Sequence, residues 1–265
     1  MYLYGYQAFK DMTNYSTNLT DIQYEAILAI INDKRKRNHS LREIFNAIFY
    51  LLKTGCQWRM LPKEFPNWKL VYYYFSKWRS DGTFEEINDI LRDNYRRKIQ
   101  RNRSPSVGII DSQSVKTTRV GGLHRGYDGN KHIKGRKRHI ITDTQGLLLS
   151  VNVHSAQEHD SKAAMQVIGL LDRKFERMKT IYADGGYRGE LIEKVYSKYG
   201  LSIEITLRSD KNNDFKPLPK RWIIERTFSW MENCRRLAKD YEYTANSSIA
   251  MITIAFIMLM INRIN

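Results

Sequence analysis

The chain has 265 residues, of which 42% are hydrophobic, so it can build a substantial core and wholesale disorder is excluded. Its 44 Lys and Arg against 28 Asp and Glu give a net charge of +16, which indicates a surface that meets polyanions rather than small acidic metabolites. Cys56 and Cys234 fit neither a disulfide framework nor a zinc site, which predicts a reducing cytosolic compartment.

The first hundred residues are predicted to be helical. Three Ser/Thr-x-x-Glu/Gln boxes, which begin at Thr20, Ser40 and Thr83, precede stretches with apolar residues at helical spacing. The second stretch, 41–52, stops at Gly55, a residue that favours the end of a helix. The chain begins without a basic segment followed by an apolar stretch, so we expect no secretory signal.

The character of the sequence changes after residues 96–106, which combine five basic residues with a Ser-Pro-Ser ending. We therefore predict a helical domain at 1–103 and a second domain at 104–265. In the second domain the order of elements predicts an α/β fold, a mixed sheet with helices on its faces. The predicted strands cover 107–110, 138–142, 147–153, 180–183 and 201–207, and the predicted helices cover 163–175, 190–199 and a long stretch after Pro219.

The C-terminal run 249–261 is almost entirely apolar. It is shorter than the roughly 20 residues that a helix needs to span a bilayer. We therefore predict a buried terminal helix, which packs on the sheet or contributes to a subunit contact.

Two short segments each carry an aspartate at the end of an apolar run. Residues 108–110 precede Asp111, and residues 181–183 precede Asp184. Buried strands hold such side chains rigidly, and carboxylates are hard oxygen ligands suited to Mg²⁺ or Mn²⁺. The repetition predicts half of a divalent-metal site, and the simpler alternative is that each aspartate forms a turn at a strand end.

A third acid is expected on the helix after Pro219. Glu225 shares one side of that helix with Arg221 and Glu232, since a helix has 3.6 residues per turn. It is placed to complete a metal site, whereas the simpler alternative is a surface ion pair with Arg221. Glu232 is the alternative on the same face. Asp143 is the alternative aspartate, although its place in the predicted hairpin already accounts for it.

Longer strings of sequence resemble a known family. They are TGCQWRMLPKEFPNW and VYYYFSKWRSDGTFE in the N-terminal region, and IIDSQSVKTT, GYDGNKHIKGRKRHIITDT, YADGGYRG and RWIIERTFSWMENCRRLAKDYE in the C-terminal region. Through them the chain resembles the DDE transposases of bacterial insertion sequences, of the IS-five-like group within the IS-four-like superfamily. The resemblance runs nearly end to end.

The resemblance implies a ribonuclease-H-like catalytic domain preceded by a small all-helical domain. It maps the family's triad of catalytic, metal-binding acids onto Asp111, Asp184 and Glu225, with two Mg²⁺ or Mn²⁺ ions in each active site. The implied reaction cleaves insertion-sequence ends and joins the 3′-hydroxyls to target DNA. Such an enzyme is expected in the bacterial cytoplasm, and on the nucleoid when it is bound to DNA.

One signature of related transposases is only partly present. They often carry Tyr-x2-Arg-x3-Glu-x6-Lys around the glutamate, and here Leu218 and Glu232 occupy the Tyr and Lys positions. Basic residues that follow are the expected substitutes in contacting phosphate. The candidate DNA-contacting residues of this region are Arg221, Arg226, Arg235 and Arg236.

A basic run lies close to the first proposed catalytic strand. Residues 131–138 include five Lys or Arg beside a glycine-rich loop predicted at 117–135. A charge run is usually a solvated face, but beside a phosphodiester site we expect it to follow the DNA backbone. The candidates are Lys134, Arg136, Lys137 and Arg138, together with Lys116 nearer the strand.

A helix predicted after Pro66 has an apolar stripe of tryptophan and phenylalanine side chains, which we expect in the core rather than stacked on bases. Its opposite side is basic. This leads to the hypothesis that the helix lies against DNA and reads terminal inverted repeats, as a helix-turn-helix would. The residues concerned are Lys69, Lys77 and Arg79, with Tyr73 between them.

Transposition brings two element ends together, so the expected working form is a homodimer on double-stranded DNA that comprises terminal inverted repeats and target DNA. Two alternatives stay open. One is a catalytically silent DNA-binding derivative, against which the presence of all three acids argues. The other is a metal-dependent nuclease of the same fold that hydrolyses DNA without joining strands.

Overall fold

We describe the protein from a computed structural model, in which the described residues are 15–31, 33, 35, 37–206 and 221–263. Leu218 and Pro219 therefore lie outside the described residues, as do the first residues of the chain. Within the described residues, the N-terminal region contains four helices and a 3₁₀ turn at Trp58–Met60. They are α1 (Asp21–Ile31), α2 (Leu41–Thr54), α3 (Trp68–Ser80) and α4 (Thr83–Lys98).

Two of the predicted capping boxes form at helix starts. The Ser40 hydroxyl accepts the Glu43 amide at 3.2 Å, and the Glu43 carboxylate accepts the Ser40 amide at 2.8 Å. Thr20 and Gln23 exchange the equivalent bonds at α1. These bonds satisfy amides that have no partner within the helix, which confirms both predicted starts.

The third box prediction is wrong. Helix α4 begins at Thr83 itself, and Gly82 in the left-handed region precedes it. The Thr83 amide and hydroxyl both donate to the Asp81 carboxylate, at 3.2 and 2.5 Å. Asp81 therefore organises this helix start, a role that the Ser/Thr-x-x-Glu pattern does not reveal.

The C-terminal region of the chain forms a mixed six-stranded sheet, which confirms the predicted α/β class. The strand order is β2-β3-β1-β5-β6, and β4 also pairs with β3. Strand β1 is antiparallel to β3 and parallel to β5, which is parallel to β6. The strands are β1 (Val107–Lys116), β2 (Gly126–Asp128), β3 (Ile133–Thr142), β4 (Leu148–Ser155), β5 (Thr180–Ala183) and β6 (Ser202–Ile205).

In the described part of the C-terminal region, four helices cover the sheet. Helices α5 (Asp160–Gly169) and α6 (Glu190–Tyr199) pack on one face with a core that includes Ile110. Helices α7 (Arg221–Glu232) and α8 (Ala245–Ile261) pack on the other face with a core that includes Ile109. Since side chains alternate along a strand, the next odd-numbered residue, Asp111, shares the face of α7 and α8.

The terminal helix α8 is buried along most of its length, as predicted. No helix within the described residues is long and apolar enough to cross a membrane. Residues of α2 and α4 belong to the same core as α8 and the sheet. The division into domains 1–103 and 104–265 and the small all-helical N-terminal domain therefore stay predictions, although helices α1 to α4 form within this region.

The predicted boundaries fail where polar residues form strands. Strand β1 continues beyond 110 to Lys116, and β3 begins at Ile133 within the predicted 117–135 loop, which also contains β2. Pairing between β1 and β3 satisfies the backbone of these polar stretches. Helix α5 ends at Gly169, short of the predicted 175.

Candidate carboxylate site

Asp111 and Asp184, here called the aspartate pair, each lie two residues beyond the last paired residues of β1 and β5. Strands β1 and β5 run parallel with Ile109 opposite Tyr182. Two further residues in this register bring Asp111 opposite Asp184, and neighbouring strands are about 4.8 Å apart. Both aspartates are half-buried. The structure thus brings together the first two predicted site residues, although Asp111 lies within β1 and not at its end.

Backbone amides orient both carboxylates. The amide of Ser112 donates to Asp111 Oδ1 at 2.7 Å, and the amide of Gly186 donates to Asp184 Oδ1 at 2.9 Å. The second bond caps the 3₁₀ turn Gly185–Tyr187, which follows β5. Each carboxylate therefore has a direction fixed by its own strand or turn.

Helix α7 runs beside β1 in the same direction. Gln113 Nε2 donates to Glu232 Oε1 at 3.1 Å, and the Asp240 amide donates to the Lys116 carbonyl at 2.9 Å. The contacts follow the same order along both segments, since Glu232 contacts Gln113 and Asp240 contacts Lys116. The first residues of α7 therefore lie nearest the first half of β1. Glu225 lies two turns before Glu232 on the same side of α7. It therefore lies on the same side of α7 as Glu232, which contacts β1.

The three acids do not form a closed cluster. Within the described ranges, no group of three or more His, Cys, Asp or Glu side chains is arranged to hold a metal ion. Glu225 is exposed on α7. The chemistry of the donors nevertheless fits a divalent cation, since two carboxylates on adjacent strands and one on the facing helix are all hard oxygen ligands.

The two alternative acids have structural partners. Glu232 accepts the Gln113 side chain, as described above. Asp143 is completely buried and ion-paired with Arg96, and its Oδ1 accepts the amides of Gln145 and Leu147 at 2.8 and 2.9 Å. Asp143 thus stabilises the β3–β4 turn, which agrees with the hairpin predicted there.

A chain of buried neutral groups lies on the opposite face of the sheet from the aspartate pair. Tyr187 is 1% exposed, and its hydroxyl lies 2.7 Å from His139 Nε2. His139 Nδ1 lies 3.4 Å from His154 Nε2, and His154 Nδ1 lies 3.0 Å from the Ser155 carbonyl. Burial, with the nearby His154, lowers the pKa of His139 to about 3, and burial also lowers the pKa of His154. Both rings are therefore neutral at pH 7.

The Ser155 carbonyl determines which group donates and which accepts in each of these hydrogen bonds. A carbonyl only accepts, so His154 Nδ1 carries the proton and His154 Nε2 accepts from His139 Nδ1. His139 Nε2 consequently accepts the Tyr187 hydroxyl. Burial raises the pKa of Tyr187 well above its usual value, and the charges of Asp111, Asp160 and Asp184 raise it further. Tyr187 is thus a permanent donor.

Ser112, the neighbour of Asp111, belongs to a second hydrogen-bond network. This network lies on the same face of the sheet as Tyr187 and His139. Its hydroxyl donates to Asp160 Oδ1 at 2.9 Å, and Lys137 Nζ lies 3.1 Å from the same oxygen. Although burial opposes it, these bonds lower the pKa of Asp160. Ser112 also stands opposite His139 in the β1–β3 register, so the two networks meet beneath β1.

Four of the residues predicted to contact DNA are buried: Arg136, Lys137 and Arg138 of the basic run, and Arg236 after α7. Arg136 is 0% exposed and ion-paired with Asp240 at 3.1 Å. Its guanidinium also donates to the carbonyls of Leu123, Glu242 and Tyr243, each at 2.8 Å. The charges are buried because acids distant in the sequence meet them inside the protein.

The other three basic groups have internal partners as well. Lys137 donates to the Glu158 carbonyl at 2.9 Å, and Arg138 donates to the Leu237 carbonyl at 2.7 Å. Arg236 donates to Glu242 Oε1 at 2.7 Å. Burial lowers the pKa of Arg138 to about 10. The basic run 131–138 is therefore mainly a strand whose charged side chains stabilise the interior.

The remaining predicted DNA-contacting residues differ in exposure. Lys69, Lys77, Lys116, Lys134 and Arg235 are exposed, and Arg79 is half-buried with a 2.6 Å bond to Ser247. Arg226 lies between the rings of Trp222 and Trp230, 4.6 and 4.5 Å from their centroids. Arg221 begins α7, and nothing is described of its side chain.

Sequence reasoning missed Tyr187, His139 and Asp160. Tyr187 follows Asp184 by three residues in the string YADGGYRG, which was the available signal for a buried anchor. His139 gave no signal, because the metal-ligand spacing that would draw attention to a histidine is absent. Only the β1–β3 pairing brings it beneath Ser112.

Two family models match this chain. Residues 102–261 match the family described as "Transposase DDE domain", and residues 19–88 match the family described as "Putative transposase of IS4/5 family". A relative in Burkholderia cepacia, the "Putative transposase for insertion sequence element IS402", is 28% identical over 138 residues. That match covers 49% of this chain and 64% of the relative.

Proposed function

This chain belongs to the DDE transposases of the IS4/5-like type, and from that premise we propose that it cleaves the ends of an insertion sequence and joins the 3′-hydroxyls to target DNA. The observation that supports the proposal is the parallel pairing of β1 with β5, whose register, continued by two residues, brings Asp111 opposite Asp184 on the face where α7 packs. We also propose that the sheet and its helices form a ribonuclease-H-like catalytic domain at 104–265.

In this proposal Asp111, Asp184 and Glu225 hold two Mg²⁺ or Mn²⁺ ions. When bound, such ions activate water for cleavage and then the 3′-hydroxyl for joining. The chain's own contribution is orientation: the amides of Ser112 and Gly186 direct the two aspartates. Glu225 approaches from α7, whose flank faces β1.

The positive charge of the protein supports the proposal that its partner is DNA. The chain has a net charge of +16. Although several basic side chains of β3 are buried, Lys134 of β3 and Lys116 of β1 are exposed. Lys69 and Lys77 are exposed on α3, which supports the proposal that the helical region, residues 1–103, binds terminal inverted repeats. We further propose that two copies assemble on DNA, because the reaction joins two ends.

The proposed function is tested with the purified protein and a duplex that carries the terminal repeat read from the DNA flanking this reading frame. We expect Mg²⁺-dependent nicking at the repeat boundary, and joined products when a pre-cleaved 3′-hydroxyl end is supplied with a target plasmid. Cleavage without joining would favour the nuclease of the same fold. Binding with neither reaction would favour the catalytically silent derivative.

Replacement of both Lys116 and Lys134 by Gln is expected to weaken DNA binding at every duplex sequence. The slope of log affinity against log salt should become shallower by about 1.8, since each lost phosphate contact removes about 0.9. Lys194→Gln is the matched control, because Lys194 is ion-paired with Glu190 at 2.5 Å on α6. Fluorescence anisotropy across a salt series measures both, and an unchanged slope in the double variant would exclude these lysines from the interface.

A further inference from the structure

The 3₁₀ turn that follows β5 is held in place by the buried side chain of Tyr187, its last residue. Tyr187 ends the 3₁₀ turn Gly185–Tyr187, and its amide donates to the Asp184 carbonyl at 3.2 Å. Its side chain passes to the α5–α6 face of the sheet, where it is completely enclosed and donates to His139 Nε2 at 2.7 Å. The position of this turn therefore depends on a residue of β3, two strands away from β5.

The same turn determines where the Asp184 carboxylate points. Gly186, in the middle of the turn, donates its amide to Asp184 Oδ1 at 2.9 Å. A displacement of the turn would therefore move the carboxylate. His139 in turn stands opposite Ser112, whose amide donates to Asp111 Oδ1 at 2.7 Å. Tyr187 thus connects the supports of both aspartates, through its bond to His139 and its interaction with the Ser112 side chain.

We infer that Tyr187, through its hydrogen bond to His139, is a positioning residue that sets the separation and direction of the Asp111 and Asp184 carboxylates for a divalent cation. This inference rests on the proposed function. Tyr187 lies across the sheet from the carboxylates, so it acts through the turn and not on the reacting atoms. Partners that orient metal ligands typically contribute about 10- to 100-fold to metal affinity.

The tautomers of His139 and His154 are fixed, so Tyr187 is always the donor and His139 always the acceptor of their hydrogen bond. His154 and the Ser155 carbonyl hold the His139 proton on Nδ1, which leaves Nε2 as the acceptor for Tyr187. Both imidazoles are neutral at pH 7, so no change of charge accompanies the bond. The Tyr187–His139 pair is therefore a rigid support and not a pH-dependent switch.

The test compares Tyr187→Phe, which keeps the ring and removes the hydroxyl, with the wild-type protein. Mn²⁺ binding to the DNA-free protein, followed by electron paramagnetic resonance, should weaken by about tenfold or more. The Mg²⁺ concentration needed for half-maximal end cleavage should rise in parallel. Tyr196→Phe is the matched control, because Tyr196 is exposed on α6.

A second pair of variants separates positioning from folding. His139→Gln retains an acceptor for the hydroxyl and should keep the metal affinity near that of wild type, whereas His139→Leu should weaken it as Tyr187→Phe does. In the Tyr187→Phe/His139→Leu double variant the two losses should not add. Circular dichroism verifies that each variant is folded.

The outcomes distinguish this inference from the proposed function. Wild-type Mn²⁺ affinity in Tyr187→Phe, with or without lower thermal stability, would overturn the positioning role. If Tyr187→Phe does not fold, equal affinities of His139→Leu and wild type would overturn it as well. A wild-type protein that neither binds Mn²⁺ nor cleaves an element end would instead overturn the proposed function.

Discussion

Asp184→Asn is expected to reduce divalent-metal-dependent cleavage of an element end at least about a thousandfold, which corresponds to about 4 kcal/mol of transition-state stabilisation. Asparagine retains an oxygen that can accept the Gly186 amide, so the turn after β5 should persist. Only the negative charge is removed, and a neutral amide is a poor ligand for Mg²⁺ beside Asp111. The loss should therefore appear in the reaction and not in the fold.

The measurement is cleavage of a labelled duplex at saturating protein, with gel-shift binding of the same duplex as the companion assay. Binding of Asp184→Asn should match or slightly exceed that of wild type, because removing a carboxylate near DNA lowers repulsion. Asp172→Asn is the matched control, since Asp172 is exposed in the segment after α5. Wild-type cleavage by Asp184→Asn would reject the assignment of this residue.

The positions of Asp111 in β1 and of Asp184 directly after β5 could be predicted because their signal is local. In both strands an apolar run leads directly into the acid, and the run identifies the strand without knowledge of its neighbours. For the same reason the predicted bounds 180–183 and 190–199 coincide with β5 and α6. Helical periodicity predicts which side of α7 carries Glu225, and the register of α7 against β1 came only from the structure.

The basic run was misinterpreted because its signal is not local. Alternation along β3 sends Arg136 and Arg138 to the α7–α8 face, and Lys137 and His139 to the α5–α6 face. On each face an acid from elsewhere in the chain meets the cation, the buried Asp240 on one and the half-buried Asp160 on the other. A sequence shows the charge of a residue but not the partner that allows it to be buried.

This burial leads to the second large expected effect. Arg136→Met should lower the free energy of unfolding by about 3–5 kcal/mol, the usual result of removing one partner from a buried ion pair. Asp240, 2% exposed, would lose its cation, and the carbonyls of Leu123, Glu242 and Tyr243 would lose their donors. Methionine fills some of the space but donates no hydrogen bond.

Urea unfolding followed by tryptophan fluorescence measures this loss, and Lys134→Met on the same strand is the control. Lys134 is exposed, so its replacement should change the free energy of unfolding by less than about 0.5 kcal/mol. Addition of Asp240→Asn to Arg136→Met should restore some of the stability, because the uncompensated charge is then removed. The introduced amide oxygen would still accept the Ser248 hydroxyl, which lies 2.8 Å from Asp240 Oδ1. Equal stability of Arg136→Met and Lys134→Met would mean that the guanidinium is solvated and available to DNA, as the sequence alone had indicated.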